Sequence, residues 1–283
     1  MRPFKIGVVA DCLRLPVEQA VAKAAELGVQ GVQVYTVSGA MSPEQLDAPA
    51  RRKFKELCAR HGVEISALCG DMGGGFRDPA ANPQKISRTC AIIDLAADLG
   101  TSVVTTHVGV VPEDSSDPAY GVLRAACGQI ADYACAGGVT LAIETGPEKA
   151  VTLKRLLDDV NSPGLGVNLD PANLVMIGGD DPVAAARLLG GRIVHTHAKD
   201  GRMVRFDPYA VYHSVAPAMW GDYFTELPLG AGDVKWDAYL AALEQVGYKG
   251  FLTIEREVGD DPTADIAAAI AFLRDRIGRP PRA

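Results

Sequence analysis

The chain has 283 residues, 48% hydrophobic but only 6% aromatic, with 30 glycines and a formal charge of −7. That acidic balance excludes a surface built for phosphate backbones, which needs clustered Lys and Arg, and no apolar run approaches the roughly 18 residues needed to span a bilayer. Neither nucleic acid nor a membrane is an expected partner.

The opening stretch MRPFKIGVVADC enters a strand-like run without the apolar core or cleavage site of a secretory leader, so a cytoplasmic protein is expected. Cys12, Cys58, Cys69, Cys90, Cys127 and Cys135 are scattered with no CxxC pair. Free, mostly buried thiols are expected rather than a disulfide framework or a thiolate zinc site.

In chain order, short apolar runs fall at 5–10 (KIGVVA), 31–36 (GVQVYT), 64–69 (EISALC), 102–107 (SVVTTH), 140–145 (TLAIET), 165–170 (LGVNLD), 192–197 (RIVHTH) and 251–256 (FLTIER). Between them lie amphipathic segments with apolar residues three and four apart, among them 16–28, 43–62, 86–100 and 236–247. Gly28, Gly62, Gly100 and Gly247 follow the last periodic residue, where a left-handed cap favours a residue without Cβ. Eight strand–helix units in this length predict a single-domain (β/α)8 barrel over 1–283. A doubly wound sheet normally carries a glycine-rich turn after its first strand, and VVADCLRLP has none. Residues 200–234 break the rhythm with Gly, Pro, aromatic and charged residues of weak periodicity. A structureless loop of that length in a compact domain is usually functional or disordered.

Strand residues two apart share a face. His195 and His197 therefore point the same way, and His197 ends its run where barrel enzymes place their chemistry. Glu144, Asp170 and Glu255 occupy the same position in LAIE, GVNLD and FLTIE, each after an apolar residue (Ile143, Leu169, Ile254) that would face the helices. Alone, any one of the four reads best as a cap or turn former. Four in register on successive predicted strands place three carboxylates and an imidazole on one rim. Carboxylates so close raise one another's pKa unless a cation neutralises them. One divalent ion is expected; Mn, Mg, Co, Zn and Fe all suit the ligand types, which alone do not choose among them. His195, deeper on the same face, is expected to support His197 from behind.

LAIETGPE, GVNLDPAN, HTHAKD and the long stretch from ELPLGAGDVKW to FLTIERE together resemble the xylose isomerase-like barrels grouped as sugar phosphate isomerases and epimerases. The resemblance implies Glu144, Asp170, His197 and Glu255 as metal ligands and a homo-oligomer acting on a carbohydrate or polyol. In ketose 3-epimerases of this family the two glutamates also serve as acid and base, which here are Glu144 and Glu255. Proton removal between a carbonyl and a hydroxyl, beside a metal, leaves an enediolate. Its reprotonation gives epimerisation or isomerisation. Loss of a β-hydroxyl instead gives the inosose or dehydroshikimate dehydratase reaction, the nearest alternative. A non-catalytic sugar-binding or accessory subunit is the other, although such a module has no need of two metal-bound glutamates. Endonuclease IV shares the fold but uses extra histidines, one of them where this chain has Asn173, so DNA repair is set aside.

Further substrate contacts are expected from His107, Glu148, Lys199 and Arg202. Each has a plain competing reading: a structural histidine for His107, the first turn of a helix for Glu148, solvated loop charges for Lys199 and Arg202. Asp11 and Tyr35, ending the first two runs, face the same choice. Phe76, Trp220 and Tyr223 are expected either to wall the pocket or to form a satellite core.

Overall fold

A computed structural model describes residues 2–207 and 217–278. All eight predicted strands form: β1 (Lys5–Val9), β2 (Gly31–Tyr35), β3 (Glu64–Cys69), β4 (Val103–Thr106), β5 (Thr140–Glu144), β6 (Leu165–Leu169), β7 (Ile193–Ala198) and, after two further strands, β10 (Phe251–Ile254). They are parallel and close in the order β1-β10-β7-β6-β5-β4-β3-β2. A helix follows each: α1 (Val17–Leu27), α2 (Ala48–His61), α3 (Asn82–Leu99), α4 (Pro118–Ala136), α5 (Ala150–Val160), α6 (Pro182–Leu189), α7 (Trp236–Gln245) and α8 (Pro262–Gly278). The described residues thus make one (β/α)8 barrel. None of their helices is long and apolar enough to cross a membrane.

Local chemistry sets the helix ends. Asp47 caps α2 by accepting the Ala50 N–H at 2.8 Å, so this helix starts five residues later than the amphipathic run 43–62 predicts. Gly28, Gly62 and Gly100 end α1, α2 and α3 with φ of 79, 67 and 83°, the left-handed cap their positions predict.

Strand alternation divides the side chains as the pattern requires. Leu141, Ile143, Leu169 and Ile254 join the continuous core between barrel and helices, each burial stabilising by about 1.5–3 kcal/mol. The opposite face points into the barrel. At its N-terminal end the interior is closed by the small cluster Ala67, Val103 and Ala142 with Val194. Gly31 belongs to this end too: a Cβ there would come within 2.5 Å of the Phe251 ring.

Residues 200–234 contain secondary structure that their weak periodicity conceals. β8 (Asp200–Met203) and β9 (Phe224–Leu227) pair antiparallel beside the barrel mouth; 208–216 lie outside the described residues. Asp200 ties this excursion to the barrel. Its buried carboxylate accepts the N–H groups of Gly201, Gly230 and Val234 and the indole N–H of Trp236, at 2.7–3.2 Å.

Candidate metal centre

Glu144 is the last residue of β5, Asp170 follows β6, His197 is the fifth residue of β7 and Glu255 follows β10. These strands are consecutive around the barrel, and the four side chains meet at its C-terminal mouth. Each offers one ligand atom within 4.8 Å of the others, and all four are buried. His197 Nδ1 lies 3.4 Å from Glu144 Oε1, 3.4 Å from Glu255 Oε2 and 3.6 Å from Asp170 Oδ2.

Neighbours fix each group. Asn168 and Asn173 donate their Nδ2 hydrogens to Glu144, at 3.2 Å to Oε2 and 3.1 Å to Oε1. Asp170 Oδ1 accepts the N–H groups of Ala172 and Asn173 at 2.7 and 3.2 Å. Its Oδ2 is buried without a hydrogen-bond partner, a costly condition for a carboxylate oxygen. With Gln33 Oε1 3.1 Å from His197 Nε2, the amide oxygen accepts the Nε2 proton and the ring turns Nδ1 to the carboxylates. Tautomer selection of this kind is what an outer partner supplies to a metal-binding histidine. Three carboxylates, one imidazole nitrogen and an orphaned oxygen facing them fit a divalent cation.

Below this ring sits His195. It meets Asn168 Oδ1 through Nδ1 at 2.9 Å and Thr253 Oγ1 through Nε2 at 3.0 Å. Burial, then the neighbouring His197, holds its pKa well below the usual imidazole value, so it is neutral and donates through Nδ1 while the Thr253 hydroxyl donates to Nε2. For His197 burial also works downward, but the charges of Glu144 and Glu255 outweigh it and raise the pKa. Glu255 is held well below the usual carboxylate range: burial opposes ionisation, and the charges of Lys199 and His197 overcome it.

The cluster opens into a cavity of about 610 Å³ lined by Tyr35, His107, Lys199, Trp220 and Phe224, among others. His107 Nδ1 is 2.9 Å from Asp71 Oδ2 and its Nε2 is 3.7 Å from Glu144 Oε1; burial lowers its pKa, but Glu144 and Asp71 lift it to about 9. Lys199 is not a solvated loop charge. It is buried, with Nζ 3.0 Å from Glu255 Oε2, 3.7 Å from Glu226 Oε2 and in contact with Glu257.

Other expected contacts lie elsewhere. Arg202 projects from β8 and donates to the Ala231 carbonyl at 3.0 Å, outside the cavity lining. Glu148 also stands off the lining, buried just ahead of α5 with Oε2 unpartnered; burial raises its carboxyl to about 7. Asp11 accepts the Tyr35 N–H at 3.1 Å. Of the three aromatic candidates, Trp220 walls the cavity, Phe76 belongs to the main core and Tyr223 to a satellite core with Ala172, Met176 and Ile177.

Sequence reasoning missed Asn168, Gln33, Asp71 and Glu226. Asn168 carried a usable signal, an amide two residues before Asp170 and hence on the same face. Gln33 is a buried polar residue inside an apolar strand run, also detectable. Asp71 and Glu226 reach the site from loop and excursion, where no periodicity points.

Fold and cluster together define a (β/α)8 barrel whose mouth carries a group that could hold a metal ion. The model of the xylose isomerase-like TIM barrel family matches residues 21–276, and the chain belongs to that family. A xylose isomerase domain protein from Planctomyces limnophilus superposes with a TM-score of 0.77 at 28% identity, over 97% of this chain and 96% of that one. D-allulose 3-epimerase from Methylomonas sp. follows with 0.73 and 19% identity over 98% and 99%. The probable 3-DHS dehydratase AsbF from Bacillus anthracis gives 0.72 and 19% over 96% and 99%. At such identities the last two bear on fold alone.

Proposed function

We propose that the protein is a divalent-metal-dependent sugar isomerase or epimerase, with Glu144, Asp170, His197 and Glu255 as metal ligands and Glu144 and Glu255 as the proton-transferring pair. One observation carries the reading: three buried carboxylates and a histidine converge within 4.8 Å with an Asp170 oxygen left unsatisfied, an arrangement that repels itself unless a cation is present. When bound, the cation supplies Lewis acidity toward nearby substrate oxygens. Manganese is the first choice.

The residues divide the work. Glu255, kept ionised by the Lys199 charge, removes the proton from the carbon between a carbonyl and a hydroxyl. Glu144 stands on β5 with β6 and β7 between it and β10; it delivers to the enediolate, from its own side, a proton taken up from solvent, and Glu255 gives the captured proton back to solvent. Asn168 and Asn173 hold the Glu144 carboxylate in place. His107, oriented by Asp71, and Lys199 face the substrate hydroxyls from the cavity wall. Trp220 and Phe224, with ring centroids 5.8 Å apart, cover an apolar sugar face.

A dehydratase is the second reading, because the same enediolate can expel a β-hydroxyl instead of being reprotonated. Proton NMR in D2O of the manganese-loaded protein with ketoses, keto-inositols and keto-acids tests both. Metal-dependent deuterium incorporation beside a carbonyl supports the epimerase or isomerase. New vinyl signals transfer the assignment to the dehydratase. Full activity of metal-free protein rules out both.

A further inference from the structure

The lysine and the arginine that line the cavity differ in their surroundings. Lys199 is surrounded by Glu255, Glu257 and Glu226. Arg77, half-buried on the loop between β3 and α3, makes no hydrogen bond or ion pair with any described residue. A guanidinium left unmatched inside a cavity is a free five-donor fork, the group best suited to a carboxylate or phosphate.

The loop that carries Arg77 is rigidly built. Gly73, Gly74 and Gly75 have φ of 73, 68 and 57°, a left-handed run that side-chain-bearing residues rarely adopt. A Cβ on Gly75 would lie 2.1 Å from the Val108 carbonyl oxygen, so the loop packs backbone to backbone on the segment after β4. Five hydrogen bonds pin it. Gly73 N donates to Asp71 Oδ1 at 2.8 Å, Phe76 N to Val108 O at 3.0 Å and Asn82 Nδ2 to Phe76 O at 3.0 Å. Lys85 Nζ donates to the carbonyls of Gly73 and Gly75 at 2.8 and 2.7 Å. In a trans peptide the N–H opposes the C=O, so the grip on the Gly73 carbonyl turns the Gly74 N–H away from Lys85, on a residue that lines the cavity.

Two acidic residues share this part of the lining, and each has an oxygen engaged away from Arg77. Asp78 Oδ1 accepts the Ala80 N–H at 2.9 Å and Asp71 Oδ2 faces His107. Gly109, itself at φ 85°, lies beside the Arg77 stem: a Cβ there would be in ordinary contact with Arg77 Cδ, at 3.8 Å. The side chain thus passes Gly109 at its stem and is unmatched at its head.

We infer that Arg77 binds an anionic terminus, carboxylate or phosphate, of the polyhydroxy substrate whose reacting carbons lie at the Glu144 and Glu255 cluster. The inference rests on the proposed reading of this cavity as a site for a polyol carbonyl compound. It narrows the substrate class to acidic sugars, either sugar acids or sugar phosphates.

The test is isothermal titration of the manganese-loaded protein with three unreactive six-carbon ligands: sorbitol, sorbitol 6-phosphate and gluconate. At least one charged ligand is expected to bind about tenfold or more tighter than sorbitol, with the preference shrinking as salt is added. R77Q abolishes that preference and leaves sorbitol affinity unchanged; R77K, which keeps the charge without the fork, restores part of it. The better charged ligand identifies the anion. Equal affinities, no binding by any of the three, or a preference that survives in R77Q overturns the proposal. Because these ligands cannot enolise, a charge preference without deuterium exchange on any ketose refutes the chemistry while leaving the Arg77 site standing.

Discussion

Two successive layers of the barrel interior each hold a histidine of the HTH triplet, and they give it opposite characters. His195 lies among an amide and a hydroxyl, neutral and satisfied at both ring nitrogens. His197, two residues further along the same face, meets three carboxylates and is pushed toward the charged form. The difference does not come from the strand, which treats both alike. It comes from the ends of the neighbouring strands, whose Glu144, Asp170 and Glu255 side chains reach His197. Asn168 joins the layers, its Oδ1 taken by His195 and its Nδ2 donating to Glu144. A polar layer that is complete in itself thus supports one that is complete only with a cation.

The largest expected effect belongs to the upper layer. Glu144→Gln and Glu255→Gln are each predicted to lower metal-dependent deuterium exchange by about 10²–10⁴-fold, the usual contribution of a positioned acid or base. Either variant exchanging within tenfold of the parent removes that residue from the proton-transferring pair. His197→Ala is predicted to weaken manganese binding by more than the 10–100-fold typical of outer partners, measured by titration of the apo-protein. Asn168→Ala falls within that outer range, because it loosens Glu144 without deleting a ligand.

A carboxyl outside both layers sharpens the contrast from another side. Glu148 is buried away from Lys199 and His197, which keep Glu255 ionised; its burial outweighs backbone hydrogen bonds and the His107 charge, and its carboxyl rises to about 7. A carboxyl with a raised folded-state pKa binds its proton more tightly when folded, so stability falls as pH rises from about 4.5 to 7 and is level above that. Glu148→Gln removes the titration. Its urea midpoint is expected to exceed the parent's at pH 8 by the equivalent of about 3 kcal/mol and to match it near pH 4. An advantage independent of pH would show that packing, not ionisation, sets the difference.

The sequence made the upper layer legible and most of its support illegible, for a physical reason. Strand alternation is a local signal, and Glu144, Asp170, His197 and Glu255 each end an apolar run in a way that a window of six residues reveals. Lys199 offers no such clue. Its partner Glu255 is 56 residues away, and a lysine after a strand reads equally well as a solvated charge. The hairpin of β8 and β9 was hidden because each strand has four residues, too few for a period of two to stand out among glycines and charges. Arg77 follows three glycines whose left-handed backbone suggests a turn but gives no direction to the side chain beyond it.

The smallest effect tests whether the lower layer is structural alone. Thr253→Val keeps the shape of the side chain and removes the hydroxyl that donates to His195 Nε2 at 3.0 Å. A buried acceptor left unmatched costs about 1–3 kcal/mol, and that loss is expected in the unfolding free energy. Manganese affinity is expected to stay within about threefold, because His195 retains its Nδ1 bond to Asn168 and Asn168 retains its bond to Glu144. If affinity drops tenfold or more, His195 reorients, takes Asn168 with it and disturbs Glu144. The two layers would then form one coupled unit, with the metal read through all of it.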